Sequence, residues 1–87
     1  MKKGWVILKA NGERVEVESN TKPTLQQMQD AVGGYIAYIP CQYANEKRTM
    51  VVNEEGLAKG LKPNISATLI IGGKITGDVM ILIGFRG

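Results

Sequence analysis

Thr24-Leu25-Gln26-Gln27-Met28-Gln29-Asp30-Ala31-Val32-Gly33 is the stretch on which the fold turns. Thr24 followed three residues later by Gln27 is a capping box, in which each side chain satisfies the backbone N–H of the other residue at the opening of a helix. Leu25, Met28 and Val32 fall at i, i+3 and i+7 with Ala31 beside them, so one face is apolar while Gln26, Gln27 and Asp30 point to water. Gly33 supplies the left-handed residue that closes a helix. The segments on both sides of this helix read as strands, which makes the chain α+β.

Working towards the N-terminus, residues 4 to 10 form a strand, with Trp5, Val6, Ile7 and Leu8 apolar on both faces. Asn11-Gly12 predicts a two-residue hairpin turn with positive backbone angles. The return strand, residues 13 to 18, turns Val15 and Val17 inward and Arg14, Glu16 and Glu18 outward, as expected near a sheet edge. Ser19 to Pro23 is a polar connection.

Towards the C-terminus, Tyr35 to Ile39 is a strand that Pro40 is expected to stop, and Thr49 to Asn53 is another. The polar segment Cys41 to Arg48 between them predicts a mobile loop. Asn53-Glu54-Glu55-Gly56 punctuates the second strand, and Gly60 to Pro63 is irregular. Asn64 caps a short helix through about Leu69, although Leu69-Ile70-Ile71 before Gly72-Gly73 also suits a strand and turn. Gly77-Asp78 marks a kink or bulge. Val79 to Ile83, apolar on both faces, suits a central strand covered on two sides. The expected architecture is an α+β fold: a small, mostly antiparallel sheet of about five strands, with one main helix and one short helix on one face. It forms a single domain over 1–87, without repeats or linkers.

A chain of 87 residues buries only about 60 to 65% of the surface its unfolded form exposes. A sizeable binding site is therefore expected in a surface groove or between subunits, and a homo-oligomer is expected. The hydrophobic fraction of 44% and charged fraction of 22% are those of a folding chain. The longest apolar run, Val79 to Ile83, is far short of the roughly 20 residues of a bilayer span, and nothing resembles a signal peptide. With a single cysteine, Cys41, no internal disulfide forms, and the bacterial host cytoplasm is the expected location. The net charge of +3 comes from cations scattered between Lys2 and Arg86. A duplex-binding surface clusters its cations, so a small anionic ligand is the expected partner ahead of nucleic acid.

Catalysis is not expected. There is no histidine, which removes the usual general base, the Ser-His and Cys-His pairs and the commonest zinc ligand. Cys41 alone builds no metal site and reads as an ordinary residue at a strand end. Glu54-Glu55 point apart on an extended chain, and Glu16 and Glu18 lie on a solvated face. Gly72-Gly73-Lys74 lacks the Ser or Thr of a phosphate loop, since Ile75 follows, and reads as a turn. No cofactor or metal is expected. Among the aromatics, Trp5 and Phe85 read as core or subunit contact. Tyr35 and Tyr38 have opposite strand parity, so one faces outward.

The candidate ligand-binding residues lie between residues 42 and 64. Tyr43 offers a stacking face; Lys47, Arg48, Lys59 and Lys62 offer charge; Asn53 and Asn64 offer amides that read base or ribose edges. The expected ligand is nucleotide-like.

Ala31-Val32-Gly33-Gly34-Tyr35-Ile36, Val51-Val52-Asn53-Glu54-Glu55-Gly56, Gly60-Leu61, Asn64, Ala67 and Ile75-Thr76-Gly77-Asp78-Val79 together resemble the family called domain of unknown function 3846, over nearly the whole chain. The resemblance implies a small protein of bacteriophages and mobile elements, with no catalytic residues to carry over. It implies an accessory, anti-defence role. The leading expectation is an oligomeric sponge that sequesters a nucleotide immune signal, either a cyclic oligonucleotide or an ADP-ribose derivative. The other expectations are an interaction module that inhibits a host protein through a free sheet edge, and a nucleic-acid accessory protein.

Overall fold

The capping box forms as read. In a computed structural model that describes residues 2–85, Thr24 accepts from the Gln27 backbone N–H, the Gln27 side chain accepts from that of Thr24, and Gly33 closes the helix at φ 81°. Met1, and Arg86 among the scattered cations, lie outside the described residues. The helix, α1, spans Leu25–Val32. Met28 and Val32 are buried, whereas Leu25, in its first turn, is 56% exposed. Pro23 and Met28, both buried, occupy the two positions of a hydrophobic staple.

The strands are β1 (Gly4–Leu8), β2 (Arg14–Glu18), β3 (Ile36–Tyr43), β4 (Glu46–Asn53) and β5 (Val79–Ile83), and the second helix, α2, spans Ile65–Ile71. They form the expected α+β fold, one antiparallel sheet in the order β2-β1-β5-β4-β3. The last strand enters the middle of the sheet, and all five of its residues are buried. At about 1.5 to 3 kcal/mol per buried aliphatic side chain, β5 is a principal source of stability.

The helices do not share a face, as the sequence reading had them. Val6, Leu8, Met50, Val79 and Ile81 point to one face and pack with Ala67 of α2. Trp5, Val51, Met80 and Leu82 point to the other and pack with Met28 and Val32 of α1. The reason lies in β5: a strand apolar on both faces needs cover on both, and one helix serves each.

The expected loop Cys41 to Arg48 is instead a continuous hairpin. β3 runs through Pro40 to Tyr43, and β4 begins at Glu46. Ala44 (φ 53°) and Asn45 (φ 65°) make a two-residue turn with both angles positive. Pro40 is tolerated because β3 is an edge. Tyr43 and Glu46 flank that turn as a hydrogen-bonded pair, so alternation makes Pro40 and Thr49 a non-bonded pair. The missing N–H of Pro40 therefore falls on the open side. Ala44 pays for its left-handed angle. Ala44→Asn is expected to stabilise the domain by roughly 1 kcal/mol, read as a raised urea midpoint with an unchanged slope.

The first hairpin also differs from the sequence reading. Gly12 N donates to Lys9 O and Lys9 N to Glu13 O, so the connection is Ala10-Asn11-Gly12, with only Gly12 at positive φ. At the far side of the sheet, Arg14 of β2 donates to the Tyr43 hydroxyl of β3 at 2.5 Å. Side chains from the two edge strands meet because the twisted sheet coils over the α2 face.

Candidate functional site

The seven residues nominated from sequence do not converge. Tyr43 and Arg48 lie on the α2 face, where the Arg14 guanidinium sits 5.8 Å from the Tyr43 ring centroid and Arg48 pairs with Glu46 at 2.7 Å. Lys47 is exposed, and its strand parity assigns it to the opposite face. Two residues that looked adjacent on a loop are therefore separated by the thickness of the sheet, because the segment is a strand.

The two asparagines are structural. Asn53 Nδ2 donates to Val32 O at 3.1 Å and its Oδ1 accepts from Glu55 N at 2.8 Å, which ties the end of α1 to the end of β4. Asn64 is fully buried. Its Oδ1 caps α2 by accepting from Ala67 N at 3.0 Å, while Nδ2 donates to Leu8 O at 2.9 Å and Gly77 O at 2.8 Å. Asn64 has its oxygen and both amide hydrogens engaged, while Asn53, with two bonds, borders a shallow cleft beside Glu54 and Glu55. Lys62 is exposed and its carbonyl accepts from Gly77 N. Cys41 faces Arg48 in the register; burial pushes its thiol up, with Arg48 opposing, which lowers its thiolate fraction at neutral pH.

Of the nominated residues, Asn53 and Lys62 border shallow clefts beside Glu54 and Glu55 and beside Asp30 and Asp78, and Lys59 borders one that also holds an exposed ring. Along one face of α1 and past its C-terminal end lies a cleft of about 450 Å³ bounded by Gln26, Gln29, Asp30, Gly33, Gly34, Tyr35 and Lys59. Tyr35 is 67% exposed, so its ring is available for stacking. Gln26 Nε2 donates to Asp30 Oδ1 at 2.7 Å, which orders that wall. A Cβ on Gly34 would come within 3.0 Å of Asn53 Nδ2 and 3.1 Å of Lys59 Nζ, so the glycine is what admits the lysine here. Sequence reading set Gln26, Gln27 and Asp30 aside as the wet face of a helix and did not single out Gln29; the available signal was an aromatic, Tyr35, directly after the closing Gly33-Gly34.

The electrostatics of the cleft are mixed. Lys59 is 3.8 Å from Glu55, Asp30 stands on the opposite wall, and the carbonyl end of α1 carries partial negative charge. A polyphosphate is therefore disfavoured. The arrangement suits a planar ring on Tyr35, hydroxyl or amino donors towards Asp30 and the glutamine oxygens, and one anionic group on Lys59.

Fold and cleft together define a small antiparallel α+β domain with a polar, ring-lined surface site. Its family follows from comparison. The chain belongs to the family described as Domain of unknown function (DUF3846), whose model matches residues 1–84. No curated protein and no solved structure matches it. Among the described residues, no group of three or more His, Cys, Asp or Glu side chains is placed to hold a metal ion, and no helix is long and apolar enough to cross a membrane.

Proposed function

We propose that the protein is a non-catalytic binder of a nucleotide-derived ligand, held in the cleft at the end of α1, and that in a bacterial cytoplasm it sequesters such a molecule as an anti-defence sponge. The observation that carries this reading is the meeting of an exposed ring, a cation, two carboxamides and a carboxylate around one cleft: Tyr35, Lys59, Gln26, Gln29 and Asp30. Stacking supplies affinity, and the polar groups supply discrimination.

The test begins with heat-denaturing the purified protein and examining the cleared supernatant by mass spectrometry for a released nucleotide. Calorimetry with the recovered compound then compares variants. Tyr35→Ala is expected to weaken binding by roughly 1 to 3 kcal/mol, and Tyr43→Ala to leave it unchanged. The bound compound is expected to be recovered chemically intact after prolonged incubation. Equal affinities of the parent and Tyr35→Ala, or product in excess of protein, sink the proposal.

A second reading, an interaction module for a host protein, is favoured by one observation. Ile65 and Leu69 of α2 are 67% and 79% exposed, and no charged residue occurs from Asn64 to Gly73.

A further inference from the structure

The two edges of the sheet are not equivalent. On β3, Pro40 removes a donor from the open side, a common protection against further strand pairing. On β2, five residues long with three charges, no proline removes an outward donor, and its charges are of both signs. Lys9 with Glu13 and Ser19 with Lys3 are hydrogen-bonded pairs of the β1–β2 ladder. Alternation then makes Val15 and Val17 bonded to β1 and leaves Arg14, Glu16 and Glu18 with their N–H and C=O groups directed outward.

The side chains along this edge are self-complementary: within one chain Arg14 and Glu16 already pair at 2.6 Å, both half exposed, so pairing between copies exchanges this contact for the same one across the edge. Arg14 and Glu16 flank Val15, which is 39% exposed on the α1 face. We propose that β2 pairs antiparallel with β2 of a second copy about a two-fold axis at Val15, which joins the two sheets into one. In that register Arg14 stands opposite Glu16 of the partner subunit and Glu16 opposite Arg14 of the partner subunit, both as hydrogen-bonded pairs. Val15 meets Val15 of the partner subunit in the closer, non-bonded spacing.

Shifting the register by two residues sets Glu16 against itself in one direction and Arg14 against itself in the other. The two-fold keeps like faces together. It sets side by side the grooves of about 440 Å³ between α1 and the β1–β2 hairpin, lined by Trp5, Ile7, Val17 and Met80 together with Asp30 and Asp78. The uncovered half of the α1 face thereby becomes the middle of a continuous surface.

Sedimentation velocity over a concentration series tests the pairing. The parent is expected at twice the 9.5 kDa chain mass. Glu16→Pro, which transplants the β3 device to an outward N–H, is expected to abolish the dimer, with far-UV circular dichroism reporting a retained fold. Glu16→Arg sets arginine against arginine and is expected to raise the dissociation constant on the order of tenfold or more. The swapped pair R14E/E16R restores complementarity and is expected to recover the dimer. A parent that stays monomeric throughout, or a Glu16→Pro dimer as tight as the parent's, overturns the proposal. The outcome is independent of ligand binding at Tyr35.

Discussion

Asn64→Ala is expected to destabilise the domain by about 3 to 5 kcal/mol, most of what a chain this small holds. The buried amide makes three bonds to groups far apart in the chain: the start of α2 at Ala67, the end of β1 at Leu8 and the approach to β5 at Gly77. Removing it strips the helix cap, at roughly 1 kcal/mol. It also takes one donor from each of two buried carbonyls, Leu8 O, which faces Val79 in the β1–β5 ladder, and Gly77 O, and a buried carbonyl left unpaired costs about 1 to 3 kcal/mol. Asn64→Ser retains the capping oxygen and loses both donors, so its cost should fall between the parent and Asn64→Ala. Equilibrium urea unfolding of the three proteins checks the order. If alanine and serine cost the same, capping contributes nothing and the bridging argument alone stands; if alanine costs less than about 1 kcal/mol, the account of Asn64 as a junction fails.

Gly4→Ala should be comparably damaging, for a different reason. Gly4 has φ 144°, and a Cβ there would lie 1.9 Å from Val17 O, a backbone atom that cannot move without opening the β1–β2 ladder. Gly12 also has positive φ, at 95°, but a Cβ there meets nothing within 4 Å. Gly12→Ala should therefore cost only backbone strain, roughly 1 kcal/mol, whereas Gly4→Ala adds a steric collision and should exceed about 3 kcal/mol. Matched denaturation curves decide it. Equal costs at the two glycines would mean that the β1 terminus relaxes freely, and the tight approach of Gly4 to Val17 would carry no energetic weight. Because that approach borders β2, the same pair of variants reports how firmly the proposed pairing strand is held.

Much of the local structure was legible. Capping box, apolar stripe and closing glycine all act within one or two helical turns, so Thr24 to Gly33 could be read directly, and Asn64 was recognised as a cap. The hairpin Ile36 to Asn53 was misread for an equally local reason. Pro40 and a polar run argue against a strand unless the strand is an edge, and edge status is a property of the whole sheet.

The ligand site was the least legible part. Asn53 and Asn64 look like free amides in one dimension because their partners, Val32, Leu8 and Gly77, are brought to them only by the packed fold. Tyr43 and Lys47 look like neighbours until strand parity sends them to opposite faces. Conversely, Gln26, Gln29, Asp30 and Tyr35 lie within ten residues, and only Lys59 is brought to them by the fold, because β4 returns beside the end of α1.

What the sequence by itself determined is the set of elements and the demand for burial on both faces of Val79 to Ile83, since propensity, capping and periodicity act over a few residues. The tertiary structure alone decided that this last strand inserts at the centre, that one helix covers each face, that β2 and β3 are the edges, and which polar groups are consumed inside. Those outcomes depend on contacts between residues distant in the chain, whose energies exist only once the sheet has closed around β5.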